Sequence, residues 1–202
     1  MTPRATFVIP VFNMDRWISK TIWSCRNQII KQIEIIVVND ASTDMTKDII
    51  NNHASADSRV KAIHLPENHG QSYCRNLGNK MAQSDFIFVL DGDDMSARNR
   101  VKDSLATFEL KKADVVYGSW FQMDSTGAVH GKVPAVDFDM ERNRKDRTNH
   151  ICHSTMAYRK KVALSVPYQF ENFGSLGIDD WRFVWDAHKA GFKFHAMKQY
   201  LR

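Results

Sequence analysis

Apolar and polar positions alternate along the first half of the chain in blocks that predict strands and helices in strict succession. Short apolar runs rich in branched side chains are typical of buried strands. Longer blocks with apolar residues three or four positions apart predict amphipathic helices. The predicted strands span residues 6–11, 33–38, 60–65 and 86–90, and the predicted helices span residues 15–27, 43–53 and 71–83.

The second half continues this alternation around one irregular segment. Residues 125–149 combine Gly127, Gly131 and Pro134 with many charged side chains, which predicts a hairpin and a loop. Such a segment can bind substrate or simply cover the surface, and the pattern does not choose between these roles. The other predicted elements are helices over residues 99–111 and 179–190, strands over residues 114–121 and 193–197, and regular structure over residues 153–159.

Strands and helices in strict alternation imply right-handed βαβ units. The sequence therefore predicts an α/β fold with a mostly parallel central sheet and helices on both faces. A chain of 202 residues with 43% hydrophobic residues can bury a substantial core. We therefore expect a single domain over residues 1–202.

Composition and cysteine usage indicate a cytoplasmic protein. No apolar run approaches the roughly 20 residues that a membrane-spanning helix needs. The N-terminus leads directly into a predicted strand and lacks the layout of a secretory signal. The cysteines Cys25, Cys74 and Cys152 are far apart and odd in number, which favours free thiols in a reducing cytosol.

The net charge is +5, and much of the positive excess lies within residues 142–161. A solvated face is the default explanation for such a stretch. The same charges would suit a phosphate-bearing substrate or the anionic inner face of a membrane, so peripheral membrane association stays open. No nucleic-acid-binding module is recognisable in the sequence, so we expect no nucleic-acid partner.

The strongest chemical signal is the acidic turn Asp91-Gly92-Asp93-Asp94, which directly follows the predicted strand over residues 86–90. Open α/β sheets bind their ligands at strand ends of this kind. Clustered carboxylates repel one another unless a cation or strong hydrogen-bond donors relieve the repulsion. Oxygen ligands suit Mg²⁺ or Mn²⁺, which leaves coordination positions for substrate phosphates. We therefore predict a metal site at Asp91 and Asp93.

The loops after the first four predicted strands leave a parallel sheet at one edge. That edge would collect Phe12 as a stacking surface, Asp40 as a hydrogen-bond acceptor and Arg75 as a cation for phosphate. With the acidic turn, these residues describe a nucleoside diphosphate site. The alternatives are structural, since Asp40 could form a turn, Arg75 could lie on a helix surface and Phe12 could be core.

The motifs, in this order, resemble those of inverting family 2 glycosyltransferases, which have a GT-A fold. The resemblance implies that Asp93 binds the metal and that Asp91 contacts the metal or the ribose. It also assigns Pro10, Phe12, Asn13 and Asp40, with Gly92 in the acidic turn, to the nucleotide-sugar pocket. The matching segments are residues 7–13, 34–44, 68–78 and 90–94.

A second group of motifs resembles the catalytic part of the same family. Residues 177–181 resemble the family's Glu-Asp motif at the start of a helix, with Asp179 in place of the usual Glu. Asp180 falls on the position of the catalytic base. His153, Asp179 and Trp181 would lie on the acceptor side. A capping pair is the alternative for the two aspartates, and core packing is the alternative for Trp181.

The resemblance implies a metal-dependent, inverting transfer of a sugar from a nucleotide diphosphate donor to a hydroxyl group. The expected donor is a UDP-sugar, the cofactor Mn²⁺ or Mg²⁺, and the acceptor a glycan or lipid-linked molecule of polysaccharide or glycolipid synthesis. Residues 1–95 would bind the nucleotide and residues 96–202 the acceptor. Many relatives continue beyond this point, so we expect either a minimal enzyme or part of a longer one.

Two alternatives to this function remain at the level of sequence. A GT-A domain could bind a nucleotide sugar or glycan without turnover. A phosphatase of the haloacid dehalogenase type also uses Asp-x-Asp after a strand, although that motif normally follows the first strand.

Overall fold

The computed structural model of the protein describes residues 2–146, 150–169 and 179–202. The strands are β1 Ala5–Val11, β2 Ile33–Asn39, β3 Val60–His64, β4 Phe86–Val89, β5 Val115–Met123, β6 Val129–Val133, β7 Ala157–Arg159 and β8 Phe194–Tyr200. The helices are α1 Ile18–Arg26, α2 Thr46–Ala56, α3 Gln71–Met81, α4 Arg100–Lys111, α5 Met140–Asp146, α6 Lys160–Ser165 and α7 Asp179–Lys189.

In the described residues, one mixed sheet has the strand order β3-β2-β1-β4-β7-β5-β6, and β8 also pairs with β5. The pairs β1–β2, β1–β4, β2–β3 and β5–β8 are parallel. Strand β7 runs antiparallel to both β4 and β5, and β6 runs antiparallel to β5. The predicted parallel sheet is therefore correct for the first half. The apolar pattern does not predict the antiparallel insertion of β7, because it carries no information on strand direction.

Helices cover both faces of the sheet, as predicted. Phe7 and Ile9 of β1 belong to one apolar layer, which includes buried residues of α1, α2 and α4. Val8, between them, belongs to the other layer with residues of α3, α6 and α7. Because side chains alternate along a strand, each apolar residue of β1 supports one layer. These two layers explain why the strands are continuously apolar.

A glycine brings α3 unusually close to β1. A Cβ atom at Gly78 would overlap the side chain of Val8. The missing side chain therefore lets the helix approach the sheet. This approach places the first turns of α3 beside the ends of β1 and β4.

Two helices begin later than the apolar pattern predicts. The pattern predicts a start at residue 15 for α1, whereas the N–H group of Asp15 donates to Oδ2 of Asp44 at 3.1 Å and α1 begins at Ile18. Similarly, α2 begins at Thr46, whose N–H group donates to Oδ1 of Asp44 at 2.9 Å. Hydrogen bonds to Asp44 thus take the place of the first helical turn predicted for each segment.

The predicted basic face is partly engaged in packing. The guanidinium of Arg159 lies 5.0 Å from the ring centroid of Phe86, and Nζ of Lys161 pairs with Oδ1 of Asp114 at 2.6 Å. Nζ of Lys160 donates to the carbonyl of Ala82 at 2.7 Å. These residues attach β7 and α6 to the sheet, whereas Arg144 is exposed on α5. No described helix is both long enough and apolar enough to cross a bilayer.

Candidate active site

The loops after β1, β2 and β4 meet at one edge of the sheet, where parallel strands end together. With the first turns of α3 they border a cleft of about 390 Å³. Asn13 and Arg75, which are also predicted to bind the nucleotide, are not among the residues that line this cleft. The cleft is lined by Pro10, Val11, Phe12, Met14, Asp40, Gln71, Cys74, Asp91, Gly92 and Asp93.

The aromatic side chain predicted to stack on a base is exposed at this cleft. Phe12 directly follows β1 and is 45% exposed, which is unusual for a phenylalanine. The next residue, Asn13, has a left-handed backbone with φ of 52°. Its Oδ1 accepts a hydrogen bond from the N–H group of Thr43 at 2.9 Å. Asn13 therefore connects the loops after β1 and β2, whereas the side chain of Phe12 is exposed at the cleft.

Asp40 is buried and anchors the loop before α3. Its Oδ1 accepts from the N–H group of His69 and its Oδ2 from that of Gly70, both at 2.8 Å. Its carbonyl accepts from Nδ2 of Asn68 at 3.1 Å. A carboxylate has about four lone-pair sites, so these two bonds leave acceptor capacity for a ligand. Asp40 therefore has the structural role expected of a turn residue and also a position in the cleft wall.

Arg75 is placed differently from the phosphate ligand that was predicted. It is 1% exposed, and its Nη2 donates to Oδ1 of Asp91 at 2.8 Å. Its Nη1 donates to Oδ2 of Asp179 at 2.7 Å. The close packing of α3 on the sheet directs this side chain inward, which a helical pattern alone does not reveal. Arg75 therefore joins two carboxylates instead of facing a phosphate group in the cleft.

The aspartates of the acidic turn have different partners. Oγ of Ser154 donates to Oδ2 of Asp91 at 2.8 Å. Burial alone would raise the pKa of Asp91, but Arg75, His153 and Ser154 outweigh it and hold the pKa at about 2. Asp94 is buried in an ion pair with Arg202. Burial raises the pKa of Asp94 to about 6, although Arg202 opposes this shift.

Side chains of the protein, both cations and a hydroxyl donor, therefore relieve much of the repulsion within the acidic turn. Asp93 is exposed and borders both the cleft and a second cavity beside α1. Within residues 2–146, 150–169 and 179–202, no group of three His, Cys, Asp or Glu side chains could hold a metal by itself. Mg²⁺ is commonly held by one or two carboxylates plus substrate phosphates. Asp93, with Asp91 beside it, fits such a shared site.

The first turn of α7 carries the two acids that were predicted there. Oδ2 of Asp179 accepts from Arg75 and from Oγ of Ser72, the latter at 3.0 Å. Asp180 is partly exposed, and its Oδ1 accepts from the N–H group of Trp181 at 2.6 Å. A helix N-terminus favours the ionised form of a carboxylate. The rest of the predicted motif, residues 177 and 178, lies outside the described residues.

Of the residues expected on the acceptor side, His153 is buried and Trp181 is partly exposed. His153 is buried, and its Nε2 makes a 2.8 Å hydrogen bond with the hydroxyl of Tyr168. Burial, followed by the charge of Arg75, lowers the pKa of His153 to about 3, so the ring is neutral. Trp181 stacks on Trp185 with ring centroids 5.3 Å apart, and both are half-buried. His153 thus packs behind Asp91, and a direct contact with an acceptor is not expected from it.

The model of the family described as "Glycosyl transferase family 2" matches residues 6–166 of this chain. The chain belongs to glycosyltransferase family 2. This membership confirms the resemblance and decides against the phosphatase alternative.

One relative is an "Uncharacterized glycosyltransferase" of Haemophilus influenzae, which is 34% identical over 125 residues. That alignment covers 62% of this chain and 50% of the relative. The chain spans about half the length of the curated relatives it matches.

Two solved structures share the fold. S. aureus TarS in complex with UDP has a TM-score of 0.77 and 19% identity, over 98% of this chain and 59% of that protein. The mannosyltransferase PcManGT from Pyrobaculum calidifontis, in complex with GDP-Man and Mn²⁺, has a TM-score of 0.73 and 14% identity. The latter alignment covers 98% of this chain and 56% of that protein. The predicted GT-A fold is confirmed.

Several site residues of this family 2 chain were not predicted individually. Ser72 belongs to the motif at residues 68–72, but the resemblance implies no role for its hydroxyl group. Ser154 lies in the segment 153–159, and its bond to Asp91 depends on the antiparallel β7. Tyr168 carries no sequence signal, although its ring centroid lies 5.3 Å from the guanidinium carbon of Arg75. Such contacts between distant segments become visible only in the folded chain.

Proposed function

We propose that the protein transfers a sugar from a nucleoside diphosphate to a hydroxyl acceptor, with a divalent metal and with inversion at the anomeric carbon. The observation that carries the proposal is the pair of hydrogen bonds that the Arg75 guanidinium makes. Arg75 joins Asp91, which lines the cleft, to Asp179 in the first turn of α7. This connection supports the assignment of the acidic turn and the proposed base, Asp180, to one site.

The donor nucleotide would occupy the cleft at the ends of β1, β2 and β4. The exposed ring of Phe12 is available for stacking on the base. The spare lone pairs of Asp40 can accept from a base N–H group, and Pro10 and Gly92 shape the walls. We propose a UDP-sugar donor, a choice supported by the UDP and UDP-GlcNAc complexes of TarS. The GDP-Man complex of PcManGT is the counterexample that makes the base a matter for experiment.

Asp93 and Asp91 would hold Mn²⁺ or Mg²⁺ together with the diphosphate. Such a cation supplies Lewis-acid stabilisation of the charge on the leaving nucleoside diphosphate. Arg75 and Ser154 fix the orientation of the Asp91 carboxylate, and its low pKa keeps it ionised at neutral pH. Asp93 is the exposed carboxylate of the turn and is the primary ligand in this proposal.

Asp180 would remove the proton of the acceptor hydroxyl as that oxygen attacks the anomeric carbon. A hydroxyl group is a poor nucleophile at neutral pH, so a positioned base is needed. One carboxylate is sufficient for a single inverting displacement. We propose a glycan or lipid-linked acceptor, and a cytoplasmic enzyme working near the inner face of the membrane, where the exposed Arg144 and Lys145 of α5 would favour anionic lipid.

The experiment is isothermal titration of the wild-type protein with UDP, with and without Mn²⁺. We expect binding that depends on Mn²⁺ and that Asp93→Asn weakens by at least about 10-fold, because the cation links carboxylate to diphosphate. The matched control is Asp48→Asn, which alters an exposed aspartate on α2 and should leave UDP binding unchanged.

Two results would contradict the proposal. Equal UDP affinity with and without Mn²⁺ would exclude a role for the metal in donor binding. Metal-dependent binding with no UDP release across a screen of sugar nucleotides would instead favour the non-catalytic binding module.

A further inference from the structure

We propose that Arg75 is a positioning residue for sugar transfer, a role that rests on the function proposed above. Its buried guanidinium would set the separation between the metal-binding turn after β4 and the base at the start of α7. Loss of this connection should lower turnover while donor binding is retained. The role differs from that of a phosphate ligand, which would act first on donor affinity.

The geometry of the connection is specific to arginine. Nη2 donates to Oδ1 of Asp91 at 2.8 Å and Nη1 donates to Oδ2 of Asp179 at 2.7 Å. The guanidinium is planar and rigid, so the two carboxylate oxygens are held at a separation that its fork defines. Lysine carries the same charge as a single point and cannot reproduce this fork.

Additional contacts hold each part of the connection in place. Oγ of Ser154 donates to the other oxygen of Asp91, and Oγ of Ser72 donates to Oδ2 of Asp179. The ring of Tyr168 lies 5.3 Å from the guanidinium carbon. Arg75 is 1% exposed, so its side of these charge-assisted bonds is shielded from water, whereas the two carboxylates are partly exposed. The connection thus links α3, the acidic turn and α7.

Loss of the connection would reach the base through the first turn of α7. The two hydrogen bonds of Arg75 tie Asp179, the first residue of α7, to Asp91 in the acidic turn. Arg75→Lys removes the fork and Asp179→Ala removes its second acceptor, so either change releases the first turn of α7 from the acidic turn. Asp180 is the residue after Asp179 and would move with the first turn of α7. A shift of about 1 Å at a reacting group can cost roughly 100-fold in rate.

The test compares Arg75→Lys, Asp179→Ala and the double variant by steady-state kinetics with a sugar nucleotide. We expect kcat to fall by at least about 30-fold in each single variant, because the base is displaced. The donor KM, and the affinity for UDP with Mn²⁺, should stay within about 3-fold of the wild-type values. The double variant should lose no more than the larger single loss, since both changes remove one connection.

The control makes the same two changes in another Arg–Asp pair. Arg59→Lys and Asp57→Ala alter an ion pair with a 2.8 Å separation between α2 and β3, outside the residues that line the cleft. Both should leave kcat and KM unchanged. Amide hydrogen exchange gives a second measurement without turnover, in which residues 179–183 should exchange faster in Arg75→Lys and Asp179→Ala.

Three outcomes would overturn the inference. The first is full kcat in both single variants. The second is weaker UDP binding in Arg75→Lys but not in Asp179→Ala, which would make Arg75 a phosphate ligand. The third is unchanged exchange at residues 179–183 in both variants, whether or not turnover is measurable. Absence of Mn²⁺-dependent UDP binding in the wild-type protein would instead contradict the proposed function, so the two failures are distinguishable.

Discussion

At the scale of single residues, the three aspartates after β4 are chemically identical and yet differ in environment. Asp91 is held by Arg75 and Ser154 with a pKa of about 2, and Asp94 is paired with Arg202 with a pKa raised to about 6. Asp93 is exposed at the cleft. Partners therefore divide the turn into two carboxylates engaged by the protein and one that is exposed at the cleft.

Replacement of the proposed base should affect turnover and leave binding intact. We expect Asp180→Asn to lower kcat by about 1,000-fold, since a general base contributes roughly 100- to 10,000-fold. UDP affinity with Mn²⁺ should change little, because the amide keeps the size of the side chain. The measurement is UDP release from a sugar nucleotide with an acceptor. The control is Asp186→Asn on the same helix, where the carboxylate pairs with Arg182. Full activity of Asp180→Asn would show that another group accepts the proton.

At the scale of elements, ion pairs connect helices and strands at the ends of the parallel strands opposite to the cleft. Oδ2 of Asp57, in the loop between α2 and β3, pairs with Arg26 at the end of α1 and with Arg59, both at 2.8 Å. Arg59 also donates to the carbonyls of Lys31 and Arg26. The hydrogen bond from Arg59 is the largest influence on Asp57 and, with Arg26, it holds the pKa well below its usual range. One carboxylate thus connects α1, α2 and β3.

This connection should make the contribution of Asp57 to stability depend on pH. A carboxylate with a lowered pKa in the folded state contributes fully above its unfolded pKa of about 3.9, and the contribution is lost as pH falls below that value. We therefore expect Asp57→Asn to lower the free energy of unfolding by about 2 kcal/mol near neutral pH. The difference from wild type should shrink as pH falls below about 4.

Urea unfolding across this pH range measures that difference. Asp85→Asn is the control, because the side chain of Asp85 is exposed. A difference between Asp57→Asn and wild type that stays constant down to about pH 3 would contradict the lowered pKa as its source.

At the scale of the whole molecule, the sequence predicts the half of the fold in which strands and helices alternate. Apolar runs locate β1, β2, β3 and β4, and parallel pairing brings the loops with Phe12, Asp40 and Asp91 to one edge. The prediction is weaker where elements are short. Strand β7 has three residues and α6 has six, so each is shorter than two periods of its apolar pattern. Their order in the sheet depends on pairing between distant segments.

The candidate site, like the fold, is only partly predictable from the sequence. Residue types and motif order predict the acidic turn, the acids of α7 and the exposed Phe12. The inward direction of Arg75 could not be predicted, because it depends on how closely α3 packs on β1. The burial of His153 depends likewise on Tyr168, which is distant in sequence. The division into a nucleotide half and an acceptor half stays a prediction.

The most direct test of the proposed site is a crystal structure with UDP and Mn²⁺, with anomalous scattering used to locate the metal. We predict one manganese peak coordinated by Asp93 and by the diphosphate, with the base of UDP against Phe12 and the Arg75 connection from Asp91 to Asp179 intact. A UDP molecule bound in the cleft without manganese at Asp93, or a manganese ion bound away from the acidic turn, would contradict this prediction.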